Sequence, residues 1–501
     1  MPLHQASPSP DLMPGTHPLC VDLDGTLVKS DTLFDSVLAM ARQHPTAILQ
    51  LPKWLSQGRA ALKRNITAKV ELDVVHLPYN RELLQYLEQQ HATGRPIYLA
   101  TAADTALADR VAAHLGLFAG VLASDGTTNL AGKNKLAAFQ ARFGDQFTYI
   151  GNASPDTILL SNCLDPMVAN PTSGLKAALR KGNITPARFF IDAPSPLKAW
   201  LKAIRLHQWA KNVLIFLPLL LAHEWSAGPI VGALVAFLSF GLCASATYIV
   251  NDLLDLEADR RHLKKRRRPF AAGDLSIPSG IGVVVLFLVS SLVLAILLPN
   301  IVDAISPSHS LIFPYKFLQW LAIYAVTTSA YSFSLKRMAL VDVIVLSGLY
   351  TIRILAGSAA TGVAVSAWLG GFSIFFFLSL AFVKRFAELE SLRQRESAPT
   401  QIMGRGYHVS DLEQLRSFGS ASGYASVVVL TLYISNINAV ELYAHPNRLW
   451  LLVPVLLLWI SRLWLLASRG QLDEDPVVYA ITDKRSLLMG FLVILIVFVS
   501  L

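Results

Sequence analysis

Two short stretches bring together residue types that can hold a metal ion and a phosphate. The first, NDLLDLEADRRHLKKRRRP (residues 251–269), sets four carboxylates ahead of seven cations. Asn251, Asp255 and Asp259 fall at i, i+4 and i+8, with Asp252 beside Asn251, so a helix would line them along one face. Bare carboxylates placed this way repel one another at low dielectric. A hard divalent cation removes that repulsion, and Mg2+ takes a few carboxylates together with phosphate oxygens and water. Downstream, Lys265, Arg266 and Arg268 suit phosphate groups, as point charges or as bidentate forks. The second stretch, LCVDLDGTLVKSDTL (19–33), is a short apolar strand that ends in D-x-D-G-T. Asp22 and Asp24, at i and i+2, point to the same side of a strand end, where they can share one Mg2+ while one of them attacks phosphorus.

The elements that must position these residues differ between the two halves of the chain. Of 501 residues, 53% are hydrophobic and 15% charged, against roughly a quarter charged in soluble proteins. The apolar excess lies almost wholly beyond Lys211. Nine apolar segments stand out there, at about 212–224, 230–250, 280–298, 317–335, 340–361, 367–383, 422–438, 449–468 and 486–501. Such runs predict a bundle of membrane-spanning helices, the first and last being short for the ~20 residues a bilayer asks. The loops after the second, fourth, sixth and eighth segments carry about eighteen Lys and Arg, the opposite loops only Lys316 and Arg448. That asymmetry predicts a multi-pass inner-membrane protein with the basic loops and the N-terminal domain in the cytoplasm.

The preceding segment, SPLKAWLKAIRLHQWAKN (195–212), alternates cations with Leu, Trp and Ile at helical spacing, as an interfacial amphipathic helix or a plain linker would. Arg205, Gln208, Trp209 and Lys211 on it can face a polar cavity. The expected organisation is a disordered leader (1–17), a soluble domain (18–175), a linker with this helix (176–211) and a membrane domain (212–501). No apolar signal segment follows basic residues at the N-terminus. Cys20, Cys163 and Cys243 are too scattered for a disulfide framework or a metal knuckle. The net charge of +9 is that of positive-inside loops and does not ask for nucleic acid.

N-D-x-x-D-x-x-x-D at the end of the second of nine helices resembles the UbiA-type intramembrane prenyltransferases, in which this motif grips a diphosphate through Mg2+. The longer string, with Asp259, Arg260, His262, Lys265, Arg266, Arg268, Pro269, Ala271 and Gly273, is similar to the polyprenyl-phosphate phosphoribosyltransferase branch. Leu263 stands where that branch has proline. RLHQWAKN (205–212), YSFSLK (331–336), LYTIRILAG (349–357) and KRFAEL (384–389) resemble further stretches of the branch. No second D-x-x-x-D follows the sixth segment, which favours this branch over aromatic prenylation.

The resemblance implies that Asn251, Asp252, Asp255 and Asp259 hold Mg2+ and the departing pyrophosphate of phosphoribosyl pyrophosphate. It also implies phosphate or substrate contacts at Arg260, His262, Lys265, Arg266, Arg268, Tyr331, Lys336, Arg353, Lys384, Arg385 and Glu388. The acceptor would be a polyprenyl phosphate lying among membrane lipids. An intramembrane cation such as Arg353 needs a cavity or a partner, and simple hydrogen bonding to neighbouring carbonyls would also satisfy it. Lys384 and Arg385 could equally snorkel to the interface. The alternative donor is a prenyl diphosphate with an aromatic or other lipid acceptor. A further alternative is a bundle that only binds anionic lipid or carries a solute, without Mg2+.

In the first half, RPIYLATAAD (95–104), NLAGKNKLAAF (129–139) and FTYIGNASPD (147–156) follow D-x-D-G-T in an order that resembles the haloacid-dehalogenase-like phosphatases, over about 18–175. That resemblance implies a Rossmann-like α/β domain with a mainly helical cap at about 35–90. Asp22 would be the nucleophile, Asp24 the acid/base, Thr101 and Lys135 phosphate binders, and Asp22, Asp24 and Asp156 the Mg2+ ligands. Asn152 replaces the first Asp of the superfamily's last motif. Two readings stay open: a phosphatase that removes the 5-phosphate from the ribosylated lipid, or a degenerate domain serving assembly or sensing.

Overall fold

Three-residue apolar strands with no polar face, such as Leu19–Val21, are stable only where a sheet is covered on both sides. The computed structural model, which describes residues 17–307, 311–394, 405–435, 443–472 and 476–501, places it at such a position. The leader expected over 1–17 lies, except for its last residue, outside the described residues. The chain divides into two compact units: residues up to Ile204 together with Tyr248–Val284, and Arg205–Thr247 together with Val285–Leu501.

The first unit is built on a parallel sheet of β1 (Leu19–Val21), β2 (Ile97–Asp104), β3 (Gly120–Ser124), β4 (Thr148–Gly151), β5 (Pro166–Ala169) and β6 (Arg188–Phe190), in the order β3-β2-β1-β4-β5-β6. Leu19 lies opposite Ile97 on one side and Thr148 on the other. The strand order reverses between β1 and β4, and open α/β sheets bind ligands beyond the carboxyl ends of strands at such a reversal. Asp22 follows β1, Thr101 lies on β2 and Asn152 follows β4, so three of the motifs converge there.

Helices Thr32–Gln43, Leu51–Ser56 and Arg59–Lys69 form a separate cluster around Met40, Trp54 and Ile66, as a cap does. Helix Arg81–Ala92 differs: its Leu83, Tyr86 and Leu87 enter the sheet core. A 3.6-residue apolar stripe says that a helix is covered, not by which layer. The sheet also runs past residue 175, because β6 completes its edge.

In the second unit and at its borders with the first, six helices are long and apolar enough to cross a membrane: Ala227–Leu254, Ile277–Ile305, Val341–Thr361, Ala367–Arg393, Val409–Ile434 and Pro446–Ser468. The chain is a multi-pass membrane protein. The expected count of nine is not reached by that measure among the described residues. The segment at 212–224 is a tight 3-10 stretch, Leu206–Phe216, running into the short helix Leu217–Leu221. Lys484–Ser500 has 17 residues, about 25 Å at 1.5 Å each against a hydrocarbon core of about 30 Å. Lys316–Phe333 is an 18-residue helix diluted by Gln319, Thr327, Thr328 and Ser329. The expected amphipathic helix forms over Pro196–Ile204 and stops at Arg205, whose φ of 56° is left-handed.

Without a hydrophobic drive between helices in lipid, close approach depends on small residues. Gly419 lies against Trp464 and Phe382, and Gly423 against Ile460 and Ser379. Gly357 is tighter still, since a Cβ there would lie 2.1 Å from the Ile215 carbonyl oxygen. Gly357→Ala is therefore expected to destabilise the bundle by about 1–3 kcal/mol, read as a lower midpoint of thermal unfolding in detergent. An unchanged midpoint would show that the Ile215 backbone yields freely.

Candidate functional site

The cleft of the first unit is floored by residues from three strand ends. Asp22 is nearly buried, and its Oδ1 accepts from Lys135 Nζ at 2.8 Å. Lys135, on helix Lys133–Phe143, also donates to Tyr149 OH at 3.2 Å. Tyr149 OH in turn donates to Asp156 Oδ1 at 2.8 Å, and Asp156 Oδ2 accepts the backbone N–H groups of Asn152 and Ala153, each at 3.0 Å. Asp24 Oδ1 accepts from the Thr32 N–H at 2.8 Å. Thr101 is fully buried, and its hydroxyl accepts the Ala103 N–H.

Burial pushes the Asp22 carboxyl up to about 7; Lys135 opposes this, while Asp156 and Asp24 add to it. Burial also lifts Asp24 to about 6, with Asp31 contributing. Burial disfavours the Lys135 charge, but Asp22 and Asp156 outweigh it and raise its pKa. Acidic groups crowded until two resist ionisation are what a cation would relieve. Asp22 and Asp24, with Asn152 at the edge, are the donors that fit Mg2+. Asp156 already accepts three hydrogen bonds and serves first to hold the 151–156 turn. Tyr149, which links Lys135 to Asp156, was not singled out in the sequence; a tyrosine inside an apolar strand carries no spacing signal.

The aspartate motif lies in the same unit. The helix that began at Ala227 ends at Leu254, Asp255 has φ −92° and ψ 11°, and helix Leu256–Arg261 follows. The i to i−4 bonding persists through this notch, with Asp255 N donating to Asn251 O (2.9 Å) and Asp259 N to Asp255 O (2.8 Å). One face therefore survives, as the spacing predicts. The turn Lys265–Arg267 carries Arg268 back, so that its Nη1 lies 3.1 Å from Asp252 Oδ1 and 2.6 Å from Asp259 Oδ2. Burial raises the Asp259 pKa, against the pull of Arg268.

Among the described residues no three acidic, His or Cys side chains are gathered as a ready-made metal cluster. Two buried carboxylates nonetheless converge on one cationic atom. Mg2+ in phosphate sites uses one or two carboxylates plus substrate oxygens, so this pair fits it. His262 Nδ1 accepts the backbone N–H groups of Lys264 and Lys265, closing the turn at the position where Leu263 replaces proline. Lys265 and Arg266 are exposed.

Arg260 is placed otherwise than the resemblance implies. It is buried and forks onto Asp35, Nη1 to Oδ2 at 3.0 Å and Nη2 to Oδ1 at 3.1 Å. Ser30 Oγ accepts from Arg260 Nη2 (3.1 Å) and donates to Asp35 Oδ2 (2.6 Å). Both nitrogens of the guanidinium fork are thus engaged by the N-terminal domain. Periodicity within 251–269 carries no information about a carboxylate more than 200 residues away.

The second unit assembles a different polar cluster. Asp342, fully buried, accepts from Tyr331 OH at 2.7 Å and pairs with Arg385 and with Arg405 Nη1 (3.2 Å). Arg385 also pairs with Glu388. Tyr331, Arg385 and Glu388 are therefore brought together, and Arg405, missed in the sequence, joins them. Lys384 and Lys336 are half-buried beside this group in sequence. Arg353 donates to Asn212 Oδ1 (2.9 Å), to the Leu349 carbonyl and to Tyr324 OH (3.2 Å), and lies over the Tyr324 ring. Asn212 and Tyr324 thus supply the partners an intramembrane cation needs. Lys211 sits over the Tyr350 ring at 5.7 Å, and Arg205, Gln208 and Trp209 are half-buried.

The family model for UbiA prenyltransferases matches residues 213–489, over half of the chain. The protein y4nM of Sinorhizobium fredii is 36% identical over 481 residues, 95% of this chain and 89% of that one. The decaprenyl-phosphate phosphoribosyltransferase of Mycobacterium tuberculosis is 37% identical over 202 residues, 39% of this chain and 62% of that one. Among solved structures, a UbiA homologue from Archaeoglobus fulgidus bound to GPP and Mg2+ is 15% identical, covers 60% of this chain and 99% of that one, and has a TM-score of 0.43.

Proposed function

From its membership of the UbiA prenyltransferase family, we propose that this chain moves 5-phosphoribose from phosphoribosyl pyrophosphate onto a polyprenyl phosphate at the aspartate motif. The observation that carries the reading is the convergence of Asp252 and Asp259 on the single Nη1 of Arg268. Similarity to decaprenyl-phosphate phosphoribosyltransferases supports the choice of donor and acceptor. Lys and Arg asymmetry supports a cytoplasmic position for this motif and for the N-terminal domain.

Mg2+, held by Asp252 and Asp259 with Asn251 and Asp255 beside them, would neutralise the diphosphate. Arg268 and the exposed Lys265 and Arg266 bind its oxygens and stabilise the charge that develops as the C1–O bond breaks. The lipid phosphate is already an anion and needs no general base. One of its oxygens forms the new bond to C1, and pyrophosphate departs.

The N-terminal domain then removes the 5-phosphate. An Asp22 carboxylate oxygen attacks phosphorus, the ribose 5-oxygen leaves with a proton from Asp24, and water releases inorganic phosphate from the aspartyl phosphate. Lys135 holds the phosphate through both steps, while Thr101, fully buried and absent from the cleft lining, accepts the Ala103 N–H.

The test uses purified chain, Mg2+, polyprenyl phosphate and phosphoribosyl pyrophosphate labelled in the ribose. Label is expected in the lipid fraction, and the Asp22→Asn variant is expected to leave a lipid product that keeps its 5-phosphate. No lipid label would overturn the transfer; identical lipids from wild type and variant would overturn the second step.

A further inference from the structure

We infer that the N-terminal cleft is a site for phosphomonoesters carried on an apolar chain, and that the loop following the aspartate motif is its specificity wall. This rests on the proposed function for the ribose head, and on geometry for the apolar part. The cleft has a volume of about 590 Å³. Asp22, Lys135 and Asn152 line it, together with Phe270, Leu275, Ile277 and Pro278 from the loop after the aspartate motif.

That wall is held by three ion pairs within the unit. Arg260 forks onto Asp35, Lys29 Nζ meets Asp274 Oδ1 at 2.8 Å, and Arg261 Nε meets Asp73 Oδ2 at 2.7 Å. Gly273, with φ +71°, lies flush on Lys29, where a Cβ would come within 2.7 Å of the lysine Cβ. A glycine in that conformation and that close lets the loop seal the cleft.

The chemistry of the floor and of the loop differs. The floor offers the Lys135 ammonium and the Asn152 amide to an anionic head, with Lys29 also lining the cleft. The loop adds four apolar side chains, Phe270, Leu275, Ile277 and Pro278, with Ser276 among them and with Asp274 neutralised by Lys29. Its last residues, Ile277 and Pro278, are in the first turn of Ile277–Ile305, a candidate membrane span containing an 18-residue stretch of mean hydropathy 3.1. A soluble sugar phosphate would fill the floor and leave that wall wet. A lipid-linked one would satisfy both and could run out along the apolar helix, gaining the free energy of apolar burial. The loop over 270–278 is thus the part of the phosphatase-like cleft that would tell a lipid product from free ribose phosphates.

Synthetic probes separate this inference from the transfer reaction. The full chain with Asp22→Asn, so that no ligand is turned over, is titrated calorimetrically in nanodiscs with methyl and hexyl ribofuranoside 5-phosphates. The hexyl probe is expected to bind at least about tenfold more tightly. Leu275→Ala and, separately, Ile277→Ala are expected to shrink that ratio to about threefold or less. Hexyl ribofuranoside without phosphate, which reports membrane partitioning, is expected not to bind saturably. Equal affinities for the two probes, no binding of either, or a ratio untouched by both wall variants would overturn the inference. A preserved hexyl preference beside a failed transfer assay would overturn the proposed transferase reaction alone.

Discussion

The Asp252→Asn variant is expected to lose phosphoribosyl transfer by about 10²–10³-fold, with a higher Mg2+ concentration needed for what remains. Asp252 is 2% exposed, and its Oδ1 shares the Nη1 of Arg268 with Asp259. Two buried carboxylates around one positive atom form a strongly negative spot whose charge must be balanced. In the resting chain Arg268 balances it. Asp252 and Asp259 are the residues that would hold Mg2+, which would supply countercharge to the diphosphate, and Arg268 would then be available to the diphosphate oxygens. Removing one negative charge weakens both arrangements, and most strongly when pyrophosphate is leaving. The measurement is initial-rate transfer of labelled ribose against Mg2+ concentration. Transfer within threefold of wild type at every concentration would remove Asp252 from the site.

The Arg260→Ala variant is expected to destabilise the first unit by about 3–5 kcal/mol, the range for stripping one partner from a buried ion pair. Asp35 would keep its Ser30 hydrogen bond and lose both bonds from the guanidinium. Asp35→Ala should act similarly, and Arg260→Met with Asp35→Leu should recover most of the loss, because an apolar pair of similar volume removes the stranded charge. Hydrogen exchange across helix Thr32–Gln43, which contains Asp35, reads the effect directly. Lost affinity for phosphoribosyl pyrophosphate with unchanged protection of that helix would return Arg260 to the substrate, as family resemblance alone suggests.

Much of the architecture was legible in residue order. Short apolar runs marked the strands before Asp22 and Asn152 and the one through Thr101, which runs on to Asp104, and long apolar runs marked the six helices able to span a bilayer. The i, i+4, i+8 spacing of Asn251, Asp255 and Asp259 was sufficient to put them on one face, since helical geometry is local, and it survived the notch at Asp255. Lys135, Tyr331, Arg385 and Glu388 were pointed to by family resemblance and not by spacing, and the structure brings the last three together.

What tertiary structure alone decided was the pairing of charges remote in sequence. Arg260 could be read as a phosphate ligand from its neighbours, yet it meets Asp35; Asp342 pairs with Arg385 and Arg405, and Arg353 finds the neutral amide oxygen of Asn212. The same holds for the wall that residues 270–278 add to the Asp22 cleft. Periodicity reports which face of an element is covered, because backbone geometry repeats every few residues. It does not report what covers it, because a buried charge takes whichever opposite partner the completed chain brings within about 3 Å.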